Sequence, residues 1–361
     1  IKAQEIITNP NFTNDSKEKR AAYAEQKQAN KQIDLLLNRK ADGGKSFSEF
    51  YPYRYLASEG FFPGYNFTRL PVRAYVAESD EDGEYISRSR FLALREFGPT
   101  NIIYHNSSKY RINQLILNEA ESKIQKIKVS KGSGYALTGE DYSRESCPFT
   151  DKPLKTSDDV TIYTDLLPMS DMRTYEIDRI SCEEEERLSM GFDISTYFTV
   201  KGGLQRVKTA IIKDGDDSLL KLRFVPAATL IKLSEKWKTR TDPGFLINLK
   251  TGFWKKEKDL TENQTEIKRV RLFTEDTADA LYIHPLKALA FDDTRTDDGI
   301  ITLMYAIKRG IEIVFQVESS EIGVEVMGDP AWPNILIYEA SEGSLGILSQ
   351  LTEDIQKFKD V

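Results

Sequence analysis

Two of the chain's three tryptophans, Trp237 and Trp254, stand inside its most basic stretch. From Lys236 to Arg271 there are ten Lys/Arg against five Asp/Glu. Lys236, Trp237, Lys238, Arg240, Trp254, Lys255, Lys256, Lys268, Arg269 and Arg271 are therefore the candidate nucleic-acid contacts. Cations neutralise phosphates, and aromatic faces stack on unpaired bases. The same residues also fit a hairpin with a solvated basic face and core tryptophans. A second set, Arg54, Arg69, Arg88, Arg90 and Arg95, lies beside an aromatic segment. It reads as a phosphate clamp or, with greater weight, as ties to carboxylates such as Glu59 and Glu96.

Other chemistry finds less support. Gly44-Lys45-Ser46 ends like a phosphate-binding loop, but Arg39 holds the first glycine position and a helix precedes it instead of a strand. Ser79-Asp80-Glu81-Asp82 reads as a hairpin tip. Cys147 and Cys182 are far apart with no histidine between them, and His105 and His284 fall in apparent strands, so no zinc quartet forms. Glu318, Glu321 and Glu325 suit a solvated helix end better than a magnesium site. There is no Gly-x-Ser-x-Gly elbow. No catalytic residue and no metal ligand is named from the sequence.

These residues sit in a chain of 361 residues with net charge −7 and pI about 5.3. An acidic chain has no global field that draws in nucleic acid, so any such surface must be local. Two cysteines fit a reducing, cytoplasmic setting, and no apolar window suits a membrane span. The chain opens on Ile1 and is read as a piece of a longer protein.

The expected fold class is α+β: a helical lead-in, a β-rich antiparallel middle and an α/β C-terminal unit. Residues 1–49 read as a helical connector, with helix formers from 16 to 39 and a stop at Ala41-Asp42-Gly43-Gly44. Residues 50–290 read as β-rich. Strands are expected at 71–76, 85–95, 101–105 and 110–117, arranged as a meander, then at 194–200, 206–212, 219–225, 267–273 and 280–283. A hairpin is expected at 244–255 around Lys250-Thr251-Gly252. Ser181 with Glu184 makes a capping box for a short helix at 181–190. Residues 291–361 read as a helix with Ile300, Leu303, Met304, Ile307, Ile311, Val314 and Phe315 at helical spacing, a strand at 334–338, a glycine turn and one last helix with Leu348, Leu351, Ile355 and Phe358 on one face.

Several stretches together resemble a known family. They are the aromatic run from Phe50 to Phe67, Arg69-Leu70-Pro71, the segment from Arg88 to Pro99, and Ile103-Tyr104-His105. Arg179-Ile180-Ser181 comes next with Glu183 to Arg187, then the run from Leu303 to Gly310 with Phe315-Gln316, and last the run from Ile337 to Gly346. The chain resembles the C-terminal region of large superfamily 2 DEAD/DEAH-type helicases that carry the DUF1998 domain, among them the helicase subunits of the bacterial phage-defence systems DISARM and Druantia. The resemblance implies a non-ATPase accessory region of an ATP-dependent DNA helicase that positions DNA or docks another defence subunit. ATP and magnesium would belong to the parent protein, with no cofactor in this stretch. The alternatives are a carboxylate-based DNA nuclease or a purely structural platform.

The chain departs from that family's pattern in two places. Family members often carry two cysteine pairs that look like a zinc site. Here Cys147-Pro148 remains and the next ligand position reads Thr150-Asp151-Lys152-Pro153, so residues 140–182 are expected to be a degenerate zinc-ribbon-like insert without zinc. The family's glycine-rich turn reads Gly343-Ser344-Leu345-Gly346, which weakens any phosphate cradle.

Overall fold

The computed structural model describes residues 71–77, 83–117, 123–180, 191–201, 203–259, 266–287, 296–340 and 345–361, with isolated positions between 7 and 30. The expected helix at 181–190 and the aromatic segment 50–67, with Arg54, Arg69 and Glu59, lie outside the described residues. The chain divides into two units, Ile1–Phe67 and Thr68–Val361. The described residues of the first are helical. The second holds two sheets.

Its first sheet has five strands: β1 (Val72–Ala77), β2 (Gly83–Arg88), β3 (Ile102–His105), β4 (Ser108–Leu115) and, from further along the chain, β8 (Met172–Arg179). The order is β2-β1-β8-β4-β3. A meander is thus not what forms, because β8 inserts between β1 and β4 and runs parallel to β1. The insertion is stitched by Arg73, which donates to Asp171 through its backbone N–H and its guanidinium, and by Thr174 Oγ1, which donates to the Tyr75 carbonyl. Such a long-range pairing leaves no local sequence signal.

The strand expected at 85–95 also ends early. Arg90–Glu96 is a helix, α1. Ala93, Leu94 and Phe97 are buried while Leu92 and Arg95 face water, a helical period rather than an alternating one.

The second sheet has ten strands. They are β5 (Gln125–Ser130), β6 (Ala136–Leu137), β7 (Val160–Pro168), β9 (Phe192–Thr199), β10 (Lys208–Asp214), β11 (Asp217–Trp237), β12 (Phe245–Asn248), β13 (Ile267–Pro285), β14 (Ile322–Met327) and β15 (Asn334–Glu339). The two long strands β11 and β13 pair antiparallel and form its spine. The expected strands at 267–273 and 280–283 are one strand. Their polar link, Thr274 to Asp279, stays paired against β11, with Glu275 opposite Ile231 and bonded to Lys201. β11 likewise runs past Val225 through a bulge at Pro226 and Ala227. There Ala227 takes φ 51° and its N–H donates to Asp279.

The last elements are α2 (Thr296–Phe315), α3 (Ile347–Glu353) and α4 (Ile355–Asp360). The expected single final helix breaks at Asp354, whose side chain caps α4 by accepting from the N–H groups of Gln356 and Lys357. Ile300, Met304, Ile307 and Ile311 of α2, with Leu348 and Leu351 of α3, cover Leu222, Phe224, Leu281 and Ile283 of the sheet. β15 pairs with β13, so the sheet crosses the boundary expected at 290/291. The class is α+β. No described helix is long and apolar enough to cross a membrane.

Candidate nucleic-acid interface

The basic stretch folds as the end of β11, a turn, the short strand β12, a second turn and the start of β13. β12 lies against β13 with Leu246 opposite Arg269 and Ile247 opposite Lys268. Asn248 builds the tip: its Oδ1 accepts from the N–H groups of Lys250 and Thr251. Its carbonyl accepts from Gly252 N–H. The expected hairpin around Lys250-Thr251-Gly252 is therefore present, closed by a bridge from Ile247 to Trp254. Gly252 has φ 76°, and a Cβ there would lie 1.9 Å from the Leu115 carbonyl oxygen. Only glycine admits both this backbone and this approach. The contact is productive, since Leu115 N–H donates to the Gly252 carbonyl and Trp254 N–H to the Asn113 carbonyl.

The tryptophans anchor this hairpin from inside. Trp237 is buried, with its ring 4.6 Å from that of Phe245 in an edge-on contact. Trp254 also meets Phe245, half-buried, at 6.4 Å. Both belong to the core that includes Phe192, Ile247 and Val270. Of the two roles open to them, stacking platform or core, the structure gives them the core. The exposed aromatic of the hairpin is Phe253, at 41%. Its signal was readable as strand alternation after the turn, which turns Phe253 and Trp254 to opposite faces.

The cations divide in two. Arg271 donates to both oxygens of Asp165 at 2.6 Å and lies 5.2 Å over the Tyr163 ring. Tyr163 in turn bonds Tyr197 and Glu235, and Ser195 also donates to Glu235. Burial, then Tyr197 and Glu235, push the Tyr163 hydroxyl far up, so it stays protonated. Arg271 is thus a packed ion-pair residue. Arg269 bonds Glu257 at 2.6 Å and the Pro243 carbonyl. Lys236 approaches Asp193 at 3.6 Å, and Lys250 approaches Glu266 at 3.4 Å.

Lys238, Arg240, Lys255 and Lys258 have no ion pair among the described residues. Lys238, Arg240 and Lys258 are exposed and Lys255 is half-exposed. Arg240 lies 4.5 Å over the Trp237 ring, which holds its guanidinium at the surface. Lys256 and Lys268 are exposed on the same hairpin.

Of the second arginine set, Arg88, Arg90 and Arg95 lie among the described residues. Arg88 bonds Glu96 at 2.6 Å, the carboxylate tie expected for it. Arg90 opens α1, and Arg95 is exposed in its last turn, where a cation meets the negative end of the helix dipole.

The remaining candidates also find places. His105 pairs with Glu84, and His284 Nδ1 lies 2.5 Å from Asn334. Glu325 belongs to β14 rather than to a helix end, and it meets Lys232 at 3.0 Å. Glu339 is buried and accepts from the N–H groups of Gly346 and Leu348 at the start of α3. Among the described residues no group of three or more His, Cys, Asp and Glu side chains is placed to hold a metal.

Together these features define an α+β module that carries a cation-bearing hairpin. No family model and no curated protein matches the chain. Among solved structures it is similar to a crystal structure of the DUF1998 helicase MrfA bound to DNA, with TM-score 0.39 and 11% identity over 92% of this chain and 33% of that one. It is also similar to a crystal structure of the same helicase bound to DNA and AMPPNP, with TM-score 0.29 and 9% identity over 91% of this chain and 32% of that one. The chain spans about a third of the length of the structures it matches.

Proposed function

We propose that this chain is the accessory, non-ATPase region of a larger DNA helicase or translocase and that it holds single-stranded DNA on the Phe253 hairpin. The observation that carries the reading is the group of Lys238, Arg240, Lys255 and Lys258, which have no carboxylate partner among the described residues, beside one exposed aromatic side chain. Such cations attract phosphate at no cost of broken ion pairs, and a phenyl face accepts any base. The ordered sequence stretches that resemble DUF1998 helicases supply the motor context. In that context ATP and magnesium act in the parent protein, and the finer assignment is to bacterial anti-phage defence of the DISARM or Druantia kind, with other defence subunits as partners and the cytoplasm as location.

The test is binding of a labelled single-stranded oligonucleotide by the full chain. Charge reversal at Lys238, Arg240, Lys255 and Lys258 is expected to weaken it by at least about tenfold at low salt. Equal binding by both proteins contradicts the reading. Cleavage of the oligonucleotide in the presence of magnesium or manganese would favour the nuclease alternative, and an absence of any binding would favour the structural platform.

A further inference from the structure

Two turns, both outside the basic hairpin, are built alike. In the first, Ser130 N–H donates to the Tyr135 carbonyl, and the Ser130 carbonyl accepts from Ser133 N–H at 3.3 Å and Gly134 N–H at 2.8 Å. In the second, Cys147 N–H donates to the Lys152 carbonyl, and the Cys147 carbonyl accepts from Thr150 N–H at 3.3 Å and Asp151 N–H at 2.8 Å. The fifth residue of each has positive φ, 71° at Gly134 and 59° at Asp151. The two turns thus share one geometry, with residues 130 and 133 corresponding to 147 and 150.

The turns face each other. Ser133 Oγ lies 3.6 Å from Cys147 Sγ, and Ser130, Ser133 and Cys147 are all buried. Thr150 Oγ1 is buried without a hydrogen-bond partner. Paired x-Cys-x-x-Cys turns are the way proteins hold tetrahedral zinc, and four sulfurs about 2.3 Å from a metal stand about 3.8 Å apart. The Ser133–Cys147 separation matches that spacing. The donor set does not: one thiol and three hydroxyls supply at most one of the four thiolate, imidazole or carboxylate ligands that zinc requires.

We infer that the two turns are a four-position tetrahedral metal frame that this chain keeps closed without metal. Side chains do the closing. The Phe149 ring stacks on Tyr135 at 5.8 Å and meets Phe198 and Tyr282 edge-on at 5.0 Å. Arg223 lies 4.6 Å over Phe149 and bonds its carbonyl, while Tyr282 donates to the Ser133 carbonyl. Asn334 Nδ2 donates to the Gly132 carbonyl and so ties the first turn to β15. An aromatic box and three hydrogen bonds take over the cross-link a metal would make.

The test uses the full chain with Cys182→Ser, which leaves Cys147 as its one thiol. Adding Ser130→Cys, Ser133→Cys and Thr150→Cys is expected to give one Co²⁺ per chain with the visible spectrum of a tetrahedral thiolate. Affinity should rise at least about a thousandfold over the C182S parent, with Zn²⁺ displacing the cobalt. Adding Ser133→Cys alone keeps the inference testable if the triple variant fails to fold. Its two facing thiols should capture one equivalent of phenylarsine oxide, which the parent does not. The parent's melting temperature should be unmoved by EDTA. A folded triple variant with parental cobalt affinity or an octahedral spectrum, a Ser133→Cys variant that captures no arsenical, or a parent that carries one equivalent of zinc would each overturn the inference.

Discussion

Lys232 and the cations of the basic hairpin belong to neighbouring stretches of one chain, and they have opposite fates. Lys232 lies inside the sheet, 7% exposed, with its Nζ 2.8 Å from the Tyr338 hydroxyl and 3.0 Å from Glu325. Phe91 and Tyr338 rings stand 4.9 and 5.2 Å from the same Nζ. Burial alone would lower its pKa, but Tyr338 and Glu325 outweigh that and hold it above the ordinary lysine value. Thr196 also donates to Glu325, so the group is a polar network that joins β9, β11, β14 and β15. A few residues on, Lys238 and Arg240 stand at the surface with no carboxylate partner among the described residues. Charge counted along a sequence is therefore not charge offered to a ligand: the sheets absorb Lys232, Arg271 and Arg73 into their structure and leave Lys238 and Arg240 exposed.

Removing the buried member of this comparison has the largest expected effect. Lys232→Ala leaves Glu325 and the Tyr338 hydroxyl without this partner and is expected to cost about 3 kcal/mol in urea denaturation. In the fraction that remains folded, DNA affinity should be unchanged. Gly252→Ala comes next, at roughly 2 kcal/mol, because the new Cβ collides with the Leu115 carbonyl in a left-handed conformation. That change should lower stability and DNA binding together, since it loosens the hairpin that presents the cations. Phe253→Ala should leave stability within about 0.5 kcal/mol and weaken single-stranded binding by about 1 kcal/mol, roughly fivefold. Arg240→Ala should cost similarly little stability, about 0.5 kcal/mol from its contact over Trp237, and should weaken DNA binding. Equal DNA affinities for Lys232→Ala and Arg240→Ala would erase the contrast between the two regions.

Much of the architecture was legible where local pattern and tertiary context agree. The face of α2 carrying Ile300, Met304, Ile307 and Ile311 follows helical spacing and packs as that spacing requires. β1 alternates Val72, Ala74 and Val76 inward. What stayed hidden depends on distant pairing. Nothing near Met172 announces that it will lie beside Ala74, and Thr274 to Asp279 looks like a loop until β11 supplies its partners. The candidate site shows the same division. The concentration of cations from Lys236 to Arg271 was visible in composition. Which of them are paired was not, because Asp165 and Asp193 come from other strands. The twin turns were half visible, as Cys147-Pro148 and then Thr150. Ser130 and Ser133 carry no chemical signal of their own, and their matching geometry emerges only in the backbone bonds.

Under the proposed function, four specific cations carry the DNA contact. The most direct measurement is the slope of log affinity against log salt concentration for a single-stranded oligonucleotide, in the wild-type chain and in the variant reversed at Lys238, Arg240, Lys255 and Lys258. Four neutralised phosphates predict a wild-type slope of about −3 and a variant slope near zero. Two parallel lines would contradict the account, because the phosphates would then be neutralised elsewhere on the molecule.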